Sequence, residues 1–167
     1  MPIPTLTTQR LILRPFTAAD FEPLAALYQS PRSRYIDGPR PAEQVWRDFA
    51  ADCGVWHLLG FGSLSIEEKS TGALVGQTGL NAPLEYPERE LGWIIWEEFE
   101  GRGYAFEAAS ALRSYAFNQL GWITIVSYID PENTRSIRLA ERLGAERDDA
   151  APTPHNDPCL VYRHTRR

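Results

Sequence analysis

Between Glu90 and Phe117 the chain reads ELGWIIWEEFEGRGYAFEAASALRSYAF, and the chemistry this stretch could do lies in its backbone. Gly101 and Gly103 flank Arg102, and after them Tyr104, Ala105, Ala108, Ala109, Leu112 and Ala116 recur at helical spacing. A strand that feeds a helix through glycines leaves the first helical N–H groups without intrahelical partners. With the helix dipole behind them, those donors form a ready anion site. The residues therefore point to phosphate docking at Gly101 to Ala105; a purely structural strand–turn–helix joint is the alternative. Two familiar phosphate loops are excluded by spacing. A Walker loop needs Lys-Ser/Thr after its last glycine, whereas Gly103 is followed by Tyr104 and Ala105. A dinucleotide fingerprint needs a third glycine where Phe106 stands.

The elements that must position this turn follow from periodicity. Leu91 to Trp96 is apolar or glycine throughout, as expected of a strand covered on both faces. Thr5 to Phe16 reads as an opening strand, and Thr17 with Asp20 as the cap of a first helix. The proline- and arginine-bearing stretch from Ser30 to Pro41 reads as a loop, and a second helix from Pro41 is expected to fade near Gly54. From Val55 to Leu80 the pattern turns to strands, with a turn at Ser70-Thr71-Gly72. A loop from Asn81 to Arg89 leads into the central strand. Gly121 ends the central helix, Trp122 to Ile129 is β-branched strand, and Asp130 to Asn133 opens a helix closed by Gly144. A loop AAPTPHNDP precedes a last strand, CLVYRH. The fold class is α/β: a mixed sheet with helices on both faces and one parallel β–α–β unit from Leu91 to Ile129. Ligands in such sheets sit beyond the carboxyl ends of diverging strands, which sets the site between Trp96 and Ile129, bordered by Gly101 and Asn133.

A length of 167 residues fits one domain, residues 1–167. The net charge of −5 argues against a nucleic-acid surface, and no apolar run is long enough to span a membrane. The N-terminal MPIPTLTTQR lacks a signal-peptide pattern, so a cytoplasmic location is expected. Cys53 and Cys159 stand in no metal or redox spacing, and no metal is expected.

Three motifs in order, E-L-G-W, then E-G-R-G-Y-A-x-E-A, then N-x-x-S-x-R-L-A-E-R-L-G-A, resemble the acetyl-CoA-dependent N-acetyltransferases of the GNAT fold. The likeness is strongest to the RimJ/RimL-type branch that acetylates ribosomal-protein N-termini, and runs from TQRLILRPFTAAD to LVYR. The branch also includes enzymes acting on drugs, polyamines and metabolites, so the acceptor stays open. The family's Q/R-x-x-G-x-G/A loop falls on Glu98 to Gly103, which implies that the CoA diphosphate lies on the N–H groups of Gly101, Arg102, Gly103, Tyr104 and Ala105. Glu98 departs from the family's Gln or Arg, and with Glu97 and Glu100 makes three carboxylates, expected to point into solvent. The pantetheine arm is implied to pair with Ile94, Ile95 and Trp96, with an N–H near Ile94 facing the thioester oxygen.

The implied reaction is direct attack of an amine on the thioester with both ligands bound. It needs an acceptor for the amine proton and a donor for the thiolate. The resemblance suggests Glu90 as the acceptor; a solvated strand-end acid or an ordered water chain are the alternatives. Glu107 is the weaker candidate, since it sits inside the helix. The family's tyrosine donor position is Ala140 here, and Ser136 is the nearer hydroxyl. Asn133 would hold the pantetheine amides or cap the helix, or both. Arg138, and after it Arg135, would reach the CoA phosphates or face solvent. The acceptor side would be built by the first two helices and three loops carrying Tyr35, Trp46, Trp56, Tyr86 and His155, with Trp46 assigned to core and His155 to solvent. The function implied is an acetyl-CoA:amine N-acetyltransferase, possible as a homodimer. A catalytically silent acyl-CoA-binding module on the same fold is the runner-up, and a nucleotide-binding α/β protein the third reading.

Overall fold

Alternation along the strands decides which helix covers which face. The computed structural model describes residues 2–166. Among these, eight strands form one mixed sheet: β1 (Leu6–Thr7), β2 (Leu11–Arg14), β3 (Ser63–Glu68), β4 (Leu74–Asn81), β5 (Glu90–Ile95), β6 (Thr124–Ile129), β7 (Glu146–Arg147) and β8 (Leu160–Thr165). Their spatial order is β1-β2-β3-β4-β5-β6-β8-β7, and every pair is antiparallel except β5–β6. The helices are α1 (Phe21–Gln29), α2 (Ala42–Leu59), α3 (Tyr104–Asn118) and α4 (Thr134–Arg142).

Successive strand residues point to opposite faces. On one face Leu11, Leu13, Val75 and Leu91 pack with Ala108, Ala109, Leu112 and Ala116 of α3 and with Leu139 and Leu143 around α4. Leu74 and Ile94 turn the other way, where Leu24 of α1 and Val45 and Phe49 of α2 cover them together with Trp96. Alanine dominates the buried stripe of α3 because short side chains let the helix lie close to the sheet. Each such aliphatic burial stabilises by about 25 cal/mol per Å2 of surface removed from water.

Three expectations need correction. The opening strand from Thr5 to Phe16 is broken at Thr8–Arg10, where Thr8 N–H donates to the Leu11 carbonyl and turns the chain back on itself. The second helix does not fade at Gly54. It runs five residues further to Leu59, and Gly60, at φ 75°, ends it. A glycine inside a helix costs only about 1 kcal/mol, and burial of Trp56, whose indole N–H donates to the Ser63 carbonyl at 2.8 Å, outweighs that. Trp46 is 48% exposed, edge-on to Phe21, and so is not core. Asp20 does close the Thr17 turn, accepting from Thr17 N–H at 2.8 Å.

Candidate active site

The parallel contact between β5 and β6 is one residue pair long. Glu90 faces Val126, and Val126 N–H donates to the Arg89 carbonyl at 3.0 Å. On its other edge β5 is fully paired with β4, from Asn81↔Glu90 to Gly76↔Ile95, and Trp96 N–H donates to Val75 O at 2.9 Å. In an antiparallel ladder, peptide groups alternate between the two edges. Glu90, Gly92, Ile94 and Trp96 therefore turn their main-chain groups to β4. Leu91, Trp93 and Ile95 turn theirs to the side from which β6 departs. Of the three residues implied for the pantetheine arm, only Ile95 presents its main chain to the gap, and Trp93 joins it. Ile94 and Trp96 line the opposite face with side chains.

The glycine turn is built as its residue types demand. After a single 3-10 turn over Glu97–Phe99, Gly101 and Gly103 adopt φ 74° and 80°, and Gly103 becomes the N-cap of α3 without a side-chain cap. Left-handed backbone of this kind costs a side-chain-bearing residue about 1–2 kcal/mol, and glycine nothing. Among the described residues no backbone or side-chain acceptor takes an N–H from Gly101 through Phe106. Six consecutive amides, leading into and opening α3, thus have no protein partner among the described residues. Arg10 braces the turn from behind, donating through Nη1 to the Arg102 carbonyl at 2.9 Å. A shallow depression of about 380 Å3 opens beside Gly103, between Arg10 and an Arg142 guanidinium stacked 4.8 Å from the Phe106 ring.

The carboxylates of this turn do not all face solvent. Glu97 and Glu98 are exposed, but Glu100 is held by Arg32, from the segment after α1, and by Arg135, from the first turn of α4. Arg32 also lies 3.6 Å from Glu97. The repulsion expected beside a polyphosphate is therefore offset by two arginines in addition to Arg102, whose Nη2 donates to the Glu98 carbonyl at 2.9 Å. Arg135 is taken up by Glu100, and Arg138 is exposed.

Glu90 and Ser136 flank β5 on opposite faces. Glu90 is partly buried on the α1–α2 face. Asn81 Nδ2 donates to its Oε2 at 2.8 Å, and Ser63 Oγ donates to Asn81 Oδ1 at 3.3 Å, which fixes the amide's orientation. Glycines make room for this relay: a Cβ at Gly79 would come 2.4 Å from Ser63 Oγ, and one at Gly92 would come 3.2 Å from Asn81 Nδ2. Burial raises the Glu90 carboxyl to about 7, with Asn81 and the Tyr128 amide opposing part of that rise. Tyr86 and Tyr128 stand edge-to-face beside it, with centroids 5.2 Å apart. On the other face Trp93 Nε1 donates to Ser136 Oγ at 3.2 Å. Ser136 N–H donates to Asn133 Oδ1 at 3.2 Å, so Asn133 caps α4 and fixes its first turn.

Glu107 belongs to the scaffold. It accepts from Thr8 Oγ1, Arg10 N–H and Arg10 Nε at 2.6, 2.8 and 2.7 Å, tying the β1–β2 turn to α3. Burial works against its charge, but these bonds outweigh it and hold the carboxyl below its ordinary range. The Tyr104 hydroxyl is buried against Glu68. Ala140 is fully buried beside Ile129 and Tyr162, with no hydroxyl to offer. Tyr35 reaches the Glu132 carbonyl at 3.4 Å, and His155 is exposed.

A family model described as an acetyltransferase (GNAT) domain matches residues 10–146. The chain belongs to the GNAT acetyltransferase family. It is an acetyltransferase enzyme with the GNAT fold, and the family uses acetyl-CoA. Among relatives, the uncharacterized N-acetyltransferase p20 of Bacillus licheniformis is 30% identical over 148 residues, spanning 86% of this chain and 83% of that protein. The crystal structure of an acetyltransferase from Agrobacterium tumefaciens str. C58 is 46% identical, with a TM-score of 0.94 over 99% of this chain and 96% of the other. RimL, a ribosomal L7/L12 alpha-N-protein acetyltransferase solved with coenzyme A, shares the fold at 18% identity, with a TM-score of 0.74 over 98% of this chain and 97% of the other. Among the described residues no helix is long and apolar enough to cross a membrane.

Proposed function

We propose that this GNAT enzyme moves the acetyl group of acetyl-CoA to a primary amine, on a small molecule or a peptide N-terminus, by direct attack with both substrates bound. The observation that carries this reading is the combination of a β5–β6 contact ended after Glu90↔Val126 and six unpartnered amides from Gly101 to Phe106 at the mouth of the resulting notch. Acetyl-CoA supplies an activated thioester whose diphosphate suits that amide cluster.

Gly101, Arg102, Gly103, Tyr104 and Ala105 bind the diphosphate through main-chain N–H groups, and Arg32 and Arg135 temper the field of Glu100. The peptide groups of Trp93 and Ile95 offer an unpaired strand edge to the pantetheine amides, and Asn133 holds α4 against it. The two faces of β5 divide the proton traffic. Glu90, with a carboxyl near 7, is substantially ionised at neutral pH and accepts the amine proton on the α1–α2 face. Ser136 accepts from Trp93, so its own hydroxyl proton is uncommitted and available to the departing sulfur. The partly buried carboxylate and the edge-to-face tyrosines beside it suit a cationic acceptor.

An acetylation screen of free amines and peptide N-termini, read by CoA release, tests the proposal. Transfer to at least one amine, abolished by desulfo-CoA as competitor, is the expected result. Tight acetyl-CoA binding with no transfer to any amine would leave only the silent acyl-CoA-binding reading.

A further inference from the structure

The place where β6 leaves β5 is occupied by a buried serine–histidine pair that neither the glycine turn nor the proton-transfer residues account for. In a parallel ladder the rung after Val126 N–H to Arg89 O is Tyr128 N–H to Leu91 O. That rung is not made. Ser127 Oγ donates to the Leu91 carbonyl instead, at 2.7 Å, and His164 Nε2 lies 3.1 Å from Ser127 Oγ. Ser127 and His164 are 2% and 1% exposed. Ser127 carries one hydroxyl proton, and it is given to Leu91. His164 must therefore be the donor in the second bond, and since burial lowers the ring to about 4 it is neutral near pH 7, with its proton on Nε2.

That tautomer leaves His164 Nδ1 as a bare acceptor, and it has no partner among the described residues. A buried acceptor left without a partner is destabilising, whereas an apolar side chain of similar size carries no such penalty. The histidine is thus an expensive way to fill the space and a good way to hold one hydroxyl in one direction. Ser127 in turn removes two pressures at once. It satisfies a buried carbonyl that would otherwise pull β6 into register for another rung. It also leaves the Tyr128 amide free to turn toward the Glu90 carboxylate.

We infer that Ser127, oriented by His164, is a positioning residue that stops the β5–β6 ladder after one pair and so holds open the notch onto which Trp93 and Ile95 present their peptide groups. The inference rests on the acetyl-CoA reading above. Without the hydroxyl, the Leu91 carbonyl is relieved most directly by the Tyr128 amide, which extends the ladder and narrows the notch from its closed end.

Calorimetric titration of the full chain with acetyl-CoA, paired with thermal melting, separates this from a role in stability alone. His164→Leu removes the donor and also the orphaned acceptor; it should weaken acetyl-CoA binding by about tenfold while the melting temperature holds or rises. His164→Gln, whose amide nitrogen can replace Nε2, should keep affinity within about threefold of the unaltered protein. Ser127→Ala should weaken binding at least as much as His164→Leu. Unchanged affinity in His164→Leu overturns the inference, and so does a loss of affinity that follows the loss of melting temperature across all three variants. Should Ser127→Ala not fold, the Leu and Gln variants at position 164 still decide the matter. No acetyl-CoA binding by the unaltered protein would instead refute the proposed function, and the inference with it.

Discussion

Asn81 Nδ2 donates to Glu90 Oε2 at 2.8 Å across the last rung of β4 and β5, and this is the one side-chain hydrogen bond the carboxylate receives among the described residues. Burial raises the Glu90 carboxyl to about 7, and the Asn81 amide limits that rise by favouring the charged form. A base must be ionised to take a proton, so acetyl transfer should increase as pH climbs through about 7 and level off above it. Glu90→Gln should abolish that limb in a rate-against-pH profile. Asn81→Leu should move it to higher pH by removing the opposing bond. A profile identical in all three proteins would remove Glu90 from the proton path.

Gly103 stands at φ 80°, and a Cβ built there meets only Arg10 Nη2, at 3.5 Å. The obstacle to a larger residue is thus the backbone conformation, not a clash. Gly103→Val should leave the protein folded, force the turn out of its left-handed state and scatter the amides ahead of α3. Acetyl-CoA affinity, measured by calorimetry, should fall by about tenfold or more. Unchanged affinity would count against the diphosphate assignment.

A feature is legible in the sequence where its cause is local. The turn at Gly101 and Gly103 was legible because positive φ is a demand that glycine answers within a few residues. The strand–helix order was legible from apolar periodicity, and the Asn133 cap from the residue type beside Ser136. Asn81 reads as the start of a loop, because a polar residue followed by alanine and proline looks like a strand's end; its role depends on Ser63 and Glu90, brought beside it by pairing. The overrun of α2 past Gly54 is a packing effect of Trp56, invisible to propensity. Glu100 reads as solvated because its partners Arg32 and Arg135 lie 68 and 35 residues away. Ser127 and His164 read as ordinary strand residues, and only the parting of β5 from β6 gives them a task.

The Glu100 bridge is largely at the surface, where ion pairs are worth about 0–1 kcal/mol each. Its importance lies in field rather than stability. Arg32→Ala combined with Arg135→Ala leaves three carboxylates facing the diphosphate site with only Arg102 to offset them. Acetyl-CoA affinity should drop by about fivefold, and more at low salt than at high salt. Adding Glu100→Gln to that pair should recover most of the loss. Failure of the third substitution to restore binding would mean that the two arginines contact the ligand themselves.

Ser136 accepts from Trp93 Nε1 at 3.2 Å and is not needed for the helix cap, which uses its amide and Asn133. Ser136→Ala should therefore lower turnover while acetyl-CoA affinity stays within about twofold. Trp93→Phe keeps the ring but removes the donor that orients the hydroxyl, and it should show a smaller loss in turnover. Equal rates in Ser136→Ala and the unaltered protein would exclude this hydroxyl as the thiolate's proton source.

Buried His164 and partly buried Glu90 give stability a pH dependence of opposite sign. Desolvation, aided by the Arg113 charge, lowers His164 from 6.5 to about 4, so between those values the unfolded chain binds the extra proton. Stability from this group is complete above 6.5 and is lost as pH falls toward 4, by about 3 kcal/mol in all. Glu90 acts in reverse: with its folded value raised from 4.5 to about 7, its contribution is complete below 4.5 and is lost as pH rises through 7. The two slopes oppose each other between 4.5 and 6.5, so the unaltered protein should show a shallow profile there. His164→Gln removes the acid-side loss, and urea unfolding should find it gaining on the unaltered protein as pH is lowered from 7 to 4. Glu90→Gln removes the other slope and should gain as pH is raised from 4 to 7. If either difference is flat across its window, that side chain is not the buried titrating group that its surroundings require.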